Sequence, residues 1–195
     1  MVFAHYSTKN KTMSILANYR EATQALKQGQ IILFQTDMDW SLACDANNET
    51  AVARLLTLVK DTLPTLLISD ITQLNQYVQG IPEIAWDIVE FAENPLTVIY
   101  SQGKSIAPSL MNQSGIAIRL LREPWPKDLV YNYGRAIVSM NVADKTILLD
   151  AETKALADSI LTAPPSFKLG NHHKLSIIKL DKNGHIEFLK KGISA

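Results

Sequence analysis

Short apolar runs rich in β-branched residues, such as residues 31–34 and 66–68, recur along the sequence between stretches whose apolar residues return at helical spacing. That alternation is the strongest constraint on the fold. Strands joined across helices bury both kinds of apolar surface only by packing the helices onto a sheet, the α/β arrangement. The runs also stop far short of the roughly 20 residues that cross a bilayer, which excludes a helical membrane span and a membrane partner. Residues 1–12 mix polar and aromatic side chains and carry no apolar core or small-residue cleavage site, so no signal peptide is read there.

Ser14 is placed to cap a first helix carrying Ile15, Leu16, Tyr19, Ala22 and Leu26, and Gly29 stands where it should stop. Residues 31–34 read as a buried strand that opens into a polar loop over 35–42. Asn47 or Asn48 caps a second helix through Lys60, with Ala51, Val52, Leu55 and Val59 on one face. Residues 65–69 form a strand, Asp70 caps a short helix through Val78, and Pro82 opens another through Phe91. Strands follow at 96–100 and 115–121, a helix at 124–133, and a brief strand at 136–139. Asp150 caps a helix through Leu161, and 175–180 pairs with 185–189 in a closing hairpin. Trp86 and Phe91, at helical spacing, are expected in the core, and Trp125 over the start of its helix. The expected fold is α/β, a twisted mixed sheet with flanking helices in one domain over residues 14–195, preceded by an arm over 1–13.

The 195 residues carry 19 basic and 19 acidic side chains, so the chain as a whole has no electrostatic reason to seek nucleic acid. The local exception is near the carboxyl end, where Lys168, Lys174, Lys179, Lys182, Lys190 and Lys191 face only Asp181 and Glu187. Such a strip can meet an RNA backbone or stay a solvated face. A lone Cys44 forms no internal disulfide and suits a reducing, cytoplasmic setting. With His5, His172, His173 and His185 it makes no spaced metal set, so no metal site is expected. The full Gly-x-x-x-x-Gly-Lys-Ser phosphate loop, dinucleotide glycine fingerprints and hydrolase elbows are likewise missing. Polar residues instead gather at strand ends, where open α/β sheets place ligands: residues 35–42, Lys60, and Ser139-Met140-Asn141. Read alone, Thr36 and Asp37 are equally turn formers.

The order of these segments resembles the YrdC-like family of threonylcarbamoyl-adenylate synthases. Residues 27–45, with Gln35-Thr36-Asp37-Met38-Asp39-Trp40-Ser41-Leu42, are similar to its glycine-led strand and Pro-Thr-(Asp/Glu)-Thr-x-Tyr-Gly-Leu motif. Residues 66–70, 95–99 and 115–119 resemble its next three strands, including Pro-Gly-Pro-x-Thr and Gly-x-x-Arg-x-Pro. Val138-Ser139-Met140-Asn141 resembles Pro-Ser-Ala-Asn, residues 176–178 fall on Ser-Thr-Val-Val, and 189–192 on the closing Arg-Pro-Gly. The likeness spans about residues 14–194. It implies a protein that joins L-threonine, bicarbonate and ATP, with magnesium, into threonylcarbamoyl-AMP for tRNA modification, and that binds double-stranded RNA.

Carried over by position, the resemblance puts Thr36, Trp40 and Thr97 at the threonine substrate. Lys60, Arg119, Ser139, Asn141 and Lys190 fall to the nucleotide, and no residue is singled out for the chemical step. Thr62 stands at the family's second cation, Leu63 at its later lysine, Leu175 at a serine and Lys190 at its final arginine. Each charge-assisted hydrogen bond is worth roughly 1.5–3 kcal/mol, so these departures argue against full synthase activity. Two other readings stay open: a non-enzymatic RNA- or nucleotide-binding module, and a diverged enzyme acting on another acyl or carbamoyl adenylate.

Overall fold

A computed structural model describes residues 14–111, 114–142, 151–168 and 174–192. The expected arm over 1–13, Asp150 and the pair His172-His173 lie outside them. The chain enters through strand β1 (Ser14–Leu16) and helix α1 (Tyr19–Lys27), then makes the hairpin β2 (Ile32–Gln35) and β3 (Trp40–Asp45). Helix α2 (Glu49–Leu58) leads to β4 (Thr65–Ile68), and the short helices α3 (Leu74–Tyr77) and α4 (Ile84–Glu90) lead to β5 (Leu96–Tyr100). Then come α5 (Pro108–Met111), β6 (Ile116–Leu120), α6 (Pro124–Tyr133) and β7 (Ile137–Asn141). The last elements are α7 (Ala151–Ala155), β8 (Ser159–Leu161) and the hairpin β9 (Ser176–Leu180) and β10 (Ile186–Lys190).

Among the described residues the strands form one mixed sheet, ordered β1-β8-β2-β3-β7-β4-β6-β5-β9-β10. Alternation along the strands divides its side chains between two apolar clusters. Leu42, Cys44, Leu66, Ile68, Val98, Ile118 and Val138 belong to one cluster, together with residues of α2 and α4. Ile32, Phe34, Ala43, Leu67 and Ile137 belong to the other, with Leu26 of α1 and Leu129 of α6. The expected layering therefore holds, and no described helix is long and apolar enough to cross a membrane.

Local signals set the start of α2 and both ends of α6. Asn48 accepts a hydrogen bond from the Ala51 N–H at 3.0 Å, and α6 begins at Pro124 and stops on Gly134, whose φ is +82°. Three expectations are corrected. Ser14 does not cap a helix: Ser14–Leu16 pairs in parallel with β8, and Ile15 is 76% exposed. The cap is Asn18, which accepts from Glu21 N–H, while the Glu21 carboxylate accepts from Ala17 N–H. The polar loop over 35–42 is instead a tight turn, and Trp40 already starts a six-residue strand. The helix expected through Leu161 ends at Ala155, because the Asp158 carboxylate accepts from Ile31 N–H and pairs with Arg54. Those contacts draw Ser159–Leu161 between β1 and β2.

Candidate functional site

Register decides which polar side chains meet. Thr97 of β5 lies opposite Arg119 of β6, and Arg119 opposite Leu67 of β4. Thr65 lies opposite Ser139, and Ser41 opposite Asn141. Their sequence neighbours Val98, Ile118, Leu66, Val138, Met140 and Leu42 all enter the cluster of α2 and α4. Strand alternation therefore turns Thr97, Arg119, Thr65, Ser139, Ser41 and Asn141 to the other side, shared with α1 and α6. One row runs Lys190–Ile177–Thr97–Arg119 across four strands. Ser139 stands two positions along from that row, its hydroxyl 3.5 Å from the Thr65 carbonyl.

The turn between β2 and β3 reaches onto this side. Thr36, Asp37, Met38 and Asp39 are all buried, which is unusual for a hairpin tip. The Thr36 hydroxyl accepts from the N–H groups of Met38 and Asp39 and donates to the Asp39 carbonyl, so its bonding capacity is spent inside the turn. That shape presents Asp37 to Arg119, with Oδ1 3.0 Å from Nη2. Arg119 is only 3% exposed, and its Nε and Nη2 have no hydrogen-bond partner among the described residues. The contact with Asp37 is thus an ion pair without bond alignment. Burial pushes the Asp37 carboxyl above its ordinary range, against the opposing pull of Arg119 and of its own backbone N–H.

Two cavities flank the tip. One of about 190 Å³ is lined by Asp37, Met38, Pro95, Leu96, Leu120 and Lys174, among others. The other, of about 440 Å³, brings Lys60 and Asn141 together with Asp39 and Thr62, whose buried hydroxyl has no partner among the described residues. The Asn141 side-chain carbonyl accepts from the Ser41 hydroxyl at 2.9 Å. Among the described residues, no cluster of His, Cys, Asp and Glu could hold a metal ion.

Of the residues singled out from sequence, Thr97, Arg119, Ser139 and Asn141 share one side of the sheet, and Lys60 meets only Asn141 of these, at the larger cavity. Lys190 lies on the exposed strand β10, in the row of Thr97 and Arg119. Trp40 is not brought to them, since it packs against the cluster of α2 and α4 on the opposite side. Asp37 is the residue the sequence reading left out. Its only signal was its place inside the Thr36–Trp40 motif, where a turn explained it equally well. The basic strip divides: Lys179, Lys182, Lys190 and Lys191 are exposed on or beside β9 and β10, Lys174 lines the smaller cavity, and Lys168 sits in a groove beside Trp125. Trp86 packs on the core as expected, whereas Phe91, just past α4, is 77% exposed.

The arrangement offers a buried guanidinium with unmet donors, two hydroxyls and an amide on a sheet surface, with a lysine at the adjoining cavity. It suits an anionic ligand that carries hydrogen-bonding groups. Residues 24–192 match the family model of Sua5, YciO and YrdC, described as telomere recombination. The chain is 30% identical over 184 residues to a threonylcarbamoyl-AMP synthase of Pseudoalteromonas translucida, covering 89% of this chain and 98% of that one. Its fold is similar to that of Escherichia coli YciO, with a TM-score of 0.70 at 15% identity over 94% of this chain and 97% of that one. It is also similar to Pyrococcus abyssi Sua5 in complex with L-threonine, with a TM-score of 0.66 at 19% identity over 87% of this chain. It spans about half, 54%, of the Sua5 chain.

Proposed function

The chain belongs to the Sua5, YciO and YrdC family, and from that premise we propose that it binds an adenine nucleotide and L-threonine on the polar side of its sheet. There it joins L-threonine, bicarbonate and ATP into threonylcarbamoyl-AMP, pyrophosphate and water, slowly by the standard of its relatives. The observation that carries this reading is Arg119. The guanidinium is deeply buried and paired with Asp37, yet Nε and Nη2 still lack an aligned hydrogen bond, a deficit that a ligand anion taking those donors would meet. Arg119, Ser139, Asn141 and Lys190 meet the nucleotide, and Lys60 meets its phosphates. Thr97 faces threonine, Thr36 shapes the turn beside it, and Trp40 backs the site from the far side of the sheet. Magnesium enters with ATP as part of that substrate. The product serves tRNA modification, which places the protein in the cytoplasm.

The slow rate follows from charge. Asp37 offsets Arg119, and Asp39 stands in the cavity of Lys60, so the tip cancels much of the attraction a triphosphate needs. Each missing charge-assisted contact is worth about 1.5–3 kcal/mol, or roughly 10- to 150-fold in affinity. Purified protein given ATP, bicarbonate and labelled threonine should form threonylcarbamoyl-AMP, detected by mass spectrometry. Its rate should lie at least tenfold below that of the Pseudoalteromonas relative, and Lys60→Ala should lower it by roughly a further 10- to 150-fold. No product and no thermal shift with ATP, while the relative works, would sink the proposal.

A second reading rests on the exposed lysines of β9 and β10: a module that binds double-stranded RNA without turnover. Contact through phosphates must weaken steeply as salt rises. RNA binding insensitive to salt, or unaffected by charge removal at Lys179 and Lys182, rules that reading out.

A further inference from the structure

On the side of the sheet shared with α1 and α6, beyond Glu123, which also lines the smaller cavity, three aromatic rings from three segments meet at a groove. Tyr19 opens α1, Trp125 lies in the first turn of α6, and Phe167 follows a turn closed by its own N–H on the Pro164 carbonyl. The Tyr19 and Trp125 centroids are 5.0 Å apart at 36°, and those of Trp125 and Phe167 6.4 Å apart at 48°. The tilts make a concave wall rather than a stack. Tyr19 and Trp125 pack on the apolar cluster of α1 and α6, while Phe167 is not part of it. The Tyr19 hydroxyl donates to the Trp125 carbonyl at 3.0 Å, which ties the two rings together. With Pro124 and Pro164 stiffening the walls, the groove measures about 640 Å³.

Its charges have a sign. Among the described residues, Glu123 and Asp128 line the groove against one cation, Lys168. Burial together with the Asp128 charge pushes the Tyr19 phenol up to about 12, so the ring stays neutral at physiological pH. Aromatic faces carry negative quadrupole density, and carboxylates beside them add to the same field. Such a site attracts a flat, weakly hydrated cation and repels phosphate. A guanidinium matches both parts: its plane stacks on a ring, and its five N–H donors reach carboxylates at the edge. An ammonium supplies the charge without the plane.

We propose that the groove formed by Tyr19, Trp125 and Phe167, with Glu123 and Asp128 beside it, is a docking site for an arginine side chain of a partner protein. The test uses the ¹⁵N-labelled full chain. Its three tryptophans, Trp40, Trp86 and Trp125, give separate indole N–H signals, and Trp125→Phe identifies one of them. Acetyl-Gly-Arg-Gly-amide should move the Trp125 signal saturably, a lysine peptide more weakly, and a glutamate peptide not at all. Phe167→Leu and Asp128→Asn should each weaken the arginine peptide about two- to fivefold, the size of one exposed cation–π contact. Asp128 is exposed and the asparagine is isosteric, so that variant tests charge without disturbing packing. No saturable shift, an equal shift with the glutamate peptide, or a larger response to a single-stranded uridine oligomer overturns the proposal.

Discussion

Replacing Arg119 by methionine removes the charge that faces Asp37 while keeping much of the volume, and its cost can be worked from burial. The two groups lie 3.0 Å apart and are 3% and 4% exposed, so water screens neither. Breaking a buried pair by removing one partner costs about 3–5 kcal/mol, because the other charge is stranded. For a chain of this size 1 kcal/mol moves the melting temperature by roughly 2–4 °C, so a drop of about 6–20 °C is expected. A stranded carboxylate, unlike a guanidinium, can take a proton. Burial already raises the Asp37 pKa against the pull of Arg119, and the substitution removes that pull. An acid whose folded pKa exceeds its unfolded one contributes fully below the unfolded value, and the contribution is lost as pH rises through the folded value. The deficit of Arg119→Met should therefore shrink when the assay is moved from neutral to mildly acidic pH, toward the ordinary carboxylate range. Asp37→Asn instead leaves the buried guanidinium without its carboxylate, so its deficit should hold or grow as the wild type gains from protonation of Asp37. Urea denaturation of both variants and of the double variant at the two pH values closes the cycle, and the double should lose less than the sum of the singles. An Arg119→Met deficit equal at both pH values, or simple additivity, refutes the reasoning.

Gly115 has a φ of +125°, and a Cβ there would lie 2.6 Å from the Tyr100 carbonyl oxygen, whereas a Cβ on Gly134 meets nothing within 4 Å. Gly115→Ala should thus lower stability by clearly more than the ~1 kcal/mol expected for Gly134→Ala in thermal melts, and equal losses would contradict the contact. Asn48→Ala removes the acceptor for the Ala51 N–H and should cost about 1 kcal/mol in urea denaturation; no change would mean that α2 does not need its cap. Cys44 is buried in the sheet, and burial pushes its thiol up to about 12, so an aromatic disulfide reagent should label it only as denaturant unfolds the chain. Rapid labelling of the native protein at mildly alkaline pH would show that the strand opens.

The parts of the fold that could be read from sequence are those whose determinants lie close together. Helix α2 carries its own start signal in Asn48, helix α6 its start and stop in Pro124 and Gly134, and the β9–β10 hairpin its turn, so each is expected near its observed bounds. Strands β1 and β8 have no such local signal. Their three residues each become strands by pairing with one another and, for β8, with β2, and the contact that seats β8 joins Asp158 to Ile31 and Arg54, more than 100 positions away. A helical pattern over 14–26 was a reasonable reading of Ile15 and Leu16. It failed because pairing, not periodicity, fixes those residues.

The site shows the same division at finer grain. Thr97, Arg119, Ser139 and Asn141 were each visible in short motifs, but their shared side depends on register across β3, β4, β5, β6 and β7, which no motif states. Parity matters as much as position. Trp40 and Ser41 are adjacent in one motif, yet a strand sends neighbours to opposite sides, so the aromatic backs the sheet while the small hydroxyl faces the site. Where the family motif has Tyr-Gly this chain has Trp40-Ser41, and by this parity the serine, not the tryptophan, lies on the candidate site's side. Its hydroxyl donates to the Asn141 side-chain carbonyl, which leaves the amide nitrogen as the end of Asn141 best able to meet a ligand. An amide nitrogen donates and does not accept, so on the proposed reading Asn141 would turn it to an acceptor such as a phosphate or ribose oxygen.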